Sequence, residues 1–211
     1  LHQGGHGGNP PFSMMNKWFT RYLFGVENDM EKDPKAWIVR ENDDRSKPTP
    51  YAAYPNPDAE PVRFWLRGGA PGKGSLMTVK TGKQGTETLT DDVSISGADL
   101  AQAETSPNRL LFVTEPLKAP LHISGTPSIT IRASSDKPAV NLSVWMVILP
   151  WTQGTRNIND NIINRGWADL RNFKSLEKSK ALVPGKFYEM TFDLEPDDQI
   201  AAIGSGAGYA R

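Results

Sequence analysis

Asn141-Leu142-Ser143-Val144-Trp145-Met146-Val147-Ile148-Leu149 is the stretch on which the reading of the fold turns. Leu142, Val144, Met146 and Ile148 fall on every second position, the period that sends successive side chains to opposite faces of a β-strand. Upstream, Ser128-Ile129-Thr130-Ile131-Arg132-Ala133 repeats the pattern with Ile129, Ile131 and Ala133. A strand with one apolar face needs a second layer to cover it. Further short β-like runs lie at Val62–Leu66, Leu76–Val79, Leu110–Val113, Leu121–Ile123 and Phe187–Leu194, with turn residues between them. Many short strands and few helices predict a mainly β fold, an antiparallel sandwich or jelly roll. Thr81–Asn108 is polar and aperiodic and reads as a surface excursion, with a short helical turn near Ala98–Ala103. Gly, Ser and Ala dominate residues 200–211, which specifies little structure, so the sandwich is expected to need at least one more strand.

Ahead of the strands the pattern differs. Residues 1–12, LHQGGHGGNPPF, form a Gly- and Pro-punctuated loop holding two histidines. Met14, Met15, Trp18, Phe19, Tyr22 and Leu23 then recur at helical spacing, with Ser13 as the expected N-cap and Gly25 as the stop. This predicts one amphipathic helix of about three turns, whose apolar face is expected to find its partner upstream. Lys35-Ala36-Trp37-Ile38-Val39-Arg40 reads as a strand bounded by charges. Ser46–Pro61 carries five prolines and reads as an extended connection outside any sheet. The expected division is 1–27, 28–60 as a linker, and 61–211 as the sandwich.

A chain of 211 residues holds one full domain plus part of another. Lys plus Arg equal Asp plus Glu at 24 each, so no net field draws it to nucleic acid or a membrane, and neither is an expected partner. The absence of Cys removes disulfides, thiolate nucleophiles and thiolate metal sites, while leaving cytoplasmic and secreted settings open. No apolar run approaches the roughly 18 residues of a membrane-spanning helix.

His6, in Gly4-Gly5-His6-Gly7-Gly8, is the candidate catalytic residue. An imidazole titrates near neutrality, and flanking glycines let it project from a loop as a general base. The bland alternative is a solvated loop histidine. His2 reads as its structural neighbour. The His2/His6 spacing would suit a metal on a helix, but this stretch is too Gly-rich for one and no Glu follows, so neither metal nor cofactor is expected. Gly68–Ser75 lacks the spacing and hydroxyl of a phosphate-binding loop and reads as a hairpin connection. No Gly-x-Ser-x-Gly occurs, so the chain has no recognisable nucleophile elbow. Trp65, Trp145, Trp151 and Trp167 could line a sugar-binding face; filling the core is the favoured reading.

Leu1-His2-Gln3-Gly4-Gly5-His6-Gly7, followed by Asn16-Lys17-Trp18-Phe19, resembles the catalytic-histidine loop of the Xaa-Pro dipeptidyl-peptidase and cocaine-esterase superfamily. Ala119-Pro120-Leu121-His122-Ile123-Ser124-Gly125-Thr126-Pro127 is similar to the strand and turn opening the second half of its C-terminal jelly roll. Ile163-Asn164-Arg165-Gly166-Trp167-Ala168 and Leu182-Val183-Pro184-Gly185-Lys186-Phe187-Tyr188 follow in the family's order, so the resemblance spans nearly the whole chain.

The resemblance implies the final loop and helix of an α/β-hydrolase domain, then a jelly-roll β-sandwich. The serine and aspartate of a Ser-Asp-His triad would come from an upstream part of the same protein, because the triad runs in that order. His6 would take the serine proton and deliver it to the leaving amine. The implied whole protein is a serine peptidase acting on peptide substrates and releasing N-terminal dipeptides with penultimate proline, and this chain alone would be inactive. α-Amino-acid esters and other acyl esters are the alternative substrates, and a non-catalytic carbohydrate- or protein-binding sandwich is the alternative of another class. Oligomeric state stays open. After Asp193–Asp198 the family continues with a Gly turn and an apolar strand, whereas this chain runs into Gly-Ser-Gly-Ala-Gly, so a truncated, altered or fragmentary C-terminus is expected.

Overall fold

The computed structural model describes residues 10–40, 44, 46–69, 71–80, 82–152, 161–202, 204 and, for the backbone, 206–210. They fall into two compact units, Leu1–Ala59 and Glu60–Arg211.

In the first unit, helix α1 spans Phe12–Phe24. Ser13 does not cap it: Pro11 (φ −52°, ψ 137°) precedes the first turn, and its carbonyl accepts from Met14 and Met15 N–H at 2.9 and 3.1 Å. Gly25 ends the helix at φ 67°, as the spacing predicts. A 3-10 turn at Met30–Lys32 follows, then β1 (Ala36–Ile38) and β2 (Thr49–Tyr51), which pair antiparallel with Trp37 opposite Pro50. The proline-rich segment therefore does contribute a strand. In a two-stranded ladder each strand keeps an outer edge, and a proline whose missing N–H would point outward removes no ladder bond.

The second unit is mainly β. Its larger sheet has six strands in the order β3-β4-β5-β12-β8-β9. These are β3 (Trp65–Arg67), β4 (Gly74–Met77), β5 (Leu111–Val113), β12 (Gly206–Ala210), β8 (Asn141–Leu149) and β9 (Ile162–Asp169). β3 and β4 are antiparallel, so the chain between Arg67 and Gly74 connects a hairpin, with Gly74 and Ser75 already in the second strand, and β4–β5 is parallel. Among the described residues the unit also has two antiparallel pairs: β6 (Leu121–Gly125) with β11 (Asp197–Ala201), and β7 (Ser128–Ala133) with β10 (Tyr188–Asp193).

The alternation of β8 has the meaning its sequence suggests. Val144 and Met146 form one buried cluster with Ile163 and Leu194, against which Ile123, Ile129 and Phe192 pack from β6, β7 and β10. That cluster is the interior of the sandwich. On the opposite face, Val147 and Ile162 pack with Ala101 of α2 (Gly97–Gln102), flanked by Trp145 and Trp151. α2 is capped by Ser96, whose hydroxyl accepts from Asp99 N–H at 3.1 Å.

β9, β11 and β12 were not legible as strands. In β9, Ile162, Ile163 and Asn164 are buried in succession, so the period of two is broken where both faces are covered. β12 is the Gly- and Ala-rich tail read as specifying little structure. It lies between β5 and β8, pairing Gly208 with Val113 and Val147, because a slot between two strands recruits extended backbone through main-chain bonds that need no particular side chain. Two glycines of the recognised motifs have local causes. Gly125, at the end of β6, adopts φ 126°, a region L side chains rarely enter. A Cβ on Gly166 would lie 2.9 Å from Leu194 Cγ and 3.1 Å from the Asp193 carbonyl oxygen.

Candidate functional site

His6, the candidate catalytic residue, and His2 lie outside the described residues, as does the His2/His6 metal reading. The helix that follows them is fully described. Its half-buried side is tied by charge to the segment behind it: Lys17 Nζ donates to both carboxylate oxygens of Asp33 at 2.7 and 2.8 Å. Arg21 donates to Glu27 at 2.8 Å and to Glu31. Asn28 Nδ2 donates to the Lys17 carbonyl at 2.8 Å and to Thr20 Oγ1 at 3.1 Å. Arg21 holds the Glu31 carboxyl below its ordinary value, first through that hydrogen bond.

The other side of α1 is apolar and uncovered. Trp18 and Phe19 meet edge to face with centroids 5.2 Å apart, and Trp18 and Tyr22 lie 5.0 Å apart. Trp18, Phe19, Tyr22, Leu23 and Phe24 are 46%, 48%, 52%, 66% and 76% exposed, and no residue of the helix is buried. An aromatic face of this size on a helix is a surface made to be covered.

In the second unit, two buried ionisable side chains, Asp198 and Arg109, are not announced by the sequence pattern. His122 Nε2 lies 3.0 Å from Asp198 Oδ1, joining β6 to β11, and Asp198 is fully buried. Arg109 is also fully buried, donating to the carbonyls of Leu100 (2.9 Å), Gly72 (3.1 Å) and Ala103, and burial pulls its pKa down. No periodicity announces a charge turned inward. Of the four tryptophans proposed for core or sugar face, Trp65, Trp145 and Trp151 are half-buried, and Trp167 is 58% exposed. Among the described residues no group of three His, Cys, Asp or Glu could hold a metal ion.

Residues 28–205 match the family profile described as the X-Pro dipeptidyl-peptidase C-terminal non-catalytic domain. The chain belongs to this family. A relative from Rhodopirellula baltica bearing a provisional Xaa-Pro dipeptidyl-peptidase name is 54% identical over 209 residues, covering 99% of this chain and 33% of the relative. A Bacillus anthracis protein of the same provisional name is 34% identical over 217 residues, covering 99% and 34%. The chain thus spans about a third of the length of the curated relatives it matches. In fold, the chain is similar to an α-amino acid ester hydrolase (TM-score 0.66, 19% identity, covering 93% of this chain and 36% of that one). It is also similar to an aminopeptidase of a marine-sediment Thaumarchaeota archaeon (TM-score 0.64, 17% identity, covering 93% and 35%). The family profile starts after His6 and α1, whereas the Rhodopirellula baltica match takes in nearly all of the chain.

Proposed function

We propose that this chain is the C-terminal part of a serine hydrolase that releases N-terminal dipeptides with penultimate proline, with His6 as its catalytic base. The observation that carries the reading is the 54% identity, maintained across 99% of this chain, to the Rhodopirellula baltica relative with the provisional Xaa-Pro dipeptidyl-peptidase name. Residues 1–27 are then the last loop and helix of an α/β-hydrolase domain, 28–60 a linker and 61–211 the sandwich. The family profile opening at residue 28 supports the first limit, and the division between Ala59 and Glu60 supports the second.

The chemistry follows from the order of the triad. The chain has no Gly-x-Ser-x-Gly, so the nucleophilic serine and the aspartate belong to polypeptide ahead of His6. His6 accepts the serine proton as the hydroxyl attacks the scissile carbonyl and returns it to the leaving amine, while the aspartate holds the imidazole tautomer. The aromatic face of α1 packs on the same upstream part, which keeps the histidine loop in place. The likeness in fold to an α-amino acid ester hydrolase favours a second reading, in which the acyl group is a single α-amino acid and the leaving group an alcohol.

A chimera tests both readings. The first two thirds of the Rhodopirellula baltica relative are joined to this chain and assayed with an Ala-Pro anilide and with an α-amino-acid ester. Preferential turnover of the anilide, with a loss of about a thousandfold or more in His6→Ala, is expected for a triad histidine. A folded chimera that retains its activity in His6→Ala removes the assignment, and preference for the ester selects the second reading.

A further inference from the structure

The balanced total charge conceals a local excess. Between Phe173 and Phe187 lie Lys174, Lys178, Lys180 and Lys186, all exposed, against one carboxylate, Glu177. None of these lysines is paired with a carboxylate among the described residues, whereas neighbouring Arg171 and Lys137 are matched by Asp169 and Asp136. The segment is held in two pinned loops. Ser179 Oγ donates to Asn172 Oδ1 at 2.5 Å and Lys180 N–H to the Arg171 carbonyl at 2.9 Å, closing the neck of the first. Its middle reads Lys174-Ser175-Leu176-Glu177-Lys178, and Leu176 is 84% exposed. The second loop is anchored by Leu182 N–H to the Pro138 carbonyl, Gly185 N–H to the Ser135 carbonyl, and Val183 N–H to Tyr188 Oη, each at 2.9 Å. Val183, in this loop with Lys186, is 57% exposed.

We infer that this loop pair is a docking surface for an anionic lipid headgroup layer. Backbone bonds fix both loops while leaving an aliphatic side chain outside on each, so folding does not bury these two side chains. Lysines on either side of such a tip suit a headgroup layer: the ammonium groups meet lipid phosphates and carboxylates, and the apolar stems and tips enter the boundary beneath. The lysine excess provides the charge complementarity. An acidic protein would have to offer concave apolar pockets around two separate protruding tips. A lipid surface accepts them as they stand.

The test is co-sedimentation of the 211-residue chain with phosphatidylcholine vesicles, with and without phosphatidylserine. The uncharged aromatic face of α1 contributes alike to both kinds, so the difference between them reports the loops. Phosphatidylserine is expected to raise the partition coefficient at least about tenfold, and high salt to remove the gain. Lys174→Glu with Lys178→Glu is expected to abolish the gain without changing the melting temperature, and Leu176→Ser to lower it severalfold. Equal binding to both vesicle types, or an unaltered gain in the charge-reversed protein, overturns the inference. So does retention on immobilised polyglutamate without vesicle binding, which assigns the surface to an acidic peptide.

Discussion

Arg109 shows what a single inward-facing charge does for this protein. Its guanidinium, fully buried, donates to carbonyls from the end of α2 and to that of Gly72, and so ties the two segments together. Arg109→Met keeps much of the volume and strips those acceptors of their donor. It is expected to destabilise the second unit by about 3 kcal/mol or more, read as a lower denaturation midpoint. Gly166 works by absence. With Leu194 Cγ and the Asp193 carbonyl at 2.9 and 3.1 Å from a Cβ, Gly166→Ala must push β9 away from the end of β10. The expected cost is about 1–3 kcal/mol, whereas Gly185→Ala meets no atom within 4 Å and reports only the strain of its φ of 75°. The Arg-Gly-Trp motif was legible as a motif, but the reason for its glycine was not, because Leu194 lies 28 residues further along the chain, well beyond any local pattern.

At the scale of elements, α1 is a helix held on one side by charge. Arg21 lowers the Glu31 pKa in the folded state below its ordinary 4.5. A depressed carboxyl pKa contributes stability that is complete above the unfolded value and lost as pH falls through the folded one. Acidification below about pH 4.5 is therefore expected to loosen α1 from the Met30–Lys32 turn, with a small effect because the pair is exposed and screened. Far-UV circular dichroism across pH 6 to 3 checks this, and Glu31→Gln should remove that part of the pH dependence. The strands divide by how they are buried. β7 and β8 were read at their full length because each presents an alternating face to the interior. β9 and β12 were missed for opposite reasons, one buried on both faces near its start and the other recruited through its backbone.

The whole molecule is a β-sandwich unit preceded by a smaller unit whose helix carries an uncovered aromatic face. On the proposed reading, a fluorophosphonate probe is expected to label the chimera with the Rhodopirellula baltica relative and to leave the 211-residue chain unlabelled. Labelling of the chain itself would locate a nucleophile within it and overturn the proposed division of the triad. The mainly β class, the helix at Phe12–Phe24 with its glycine stop and the family motifs were all present in the sequence, because each is a local pattern of period, cap or residue order. What only the tertiary structure decided is which strands neighbour one another, why Arg109 and Asp198 are buried, and how the last residues came to lie between β5 and β8. Those depend on contacts between residues far apart in the chain, where backbone hydrogen bonding and the closing of a shared core choose the partner irrespective of local preference.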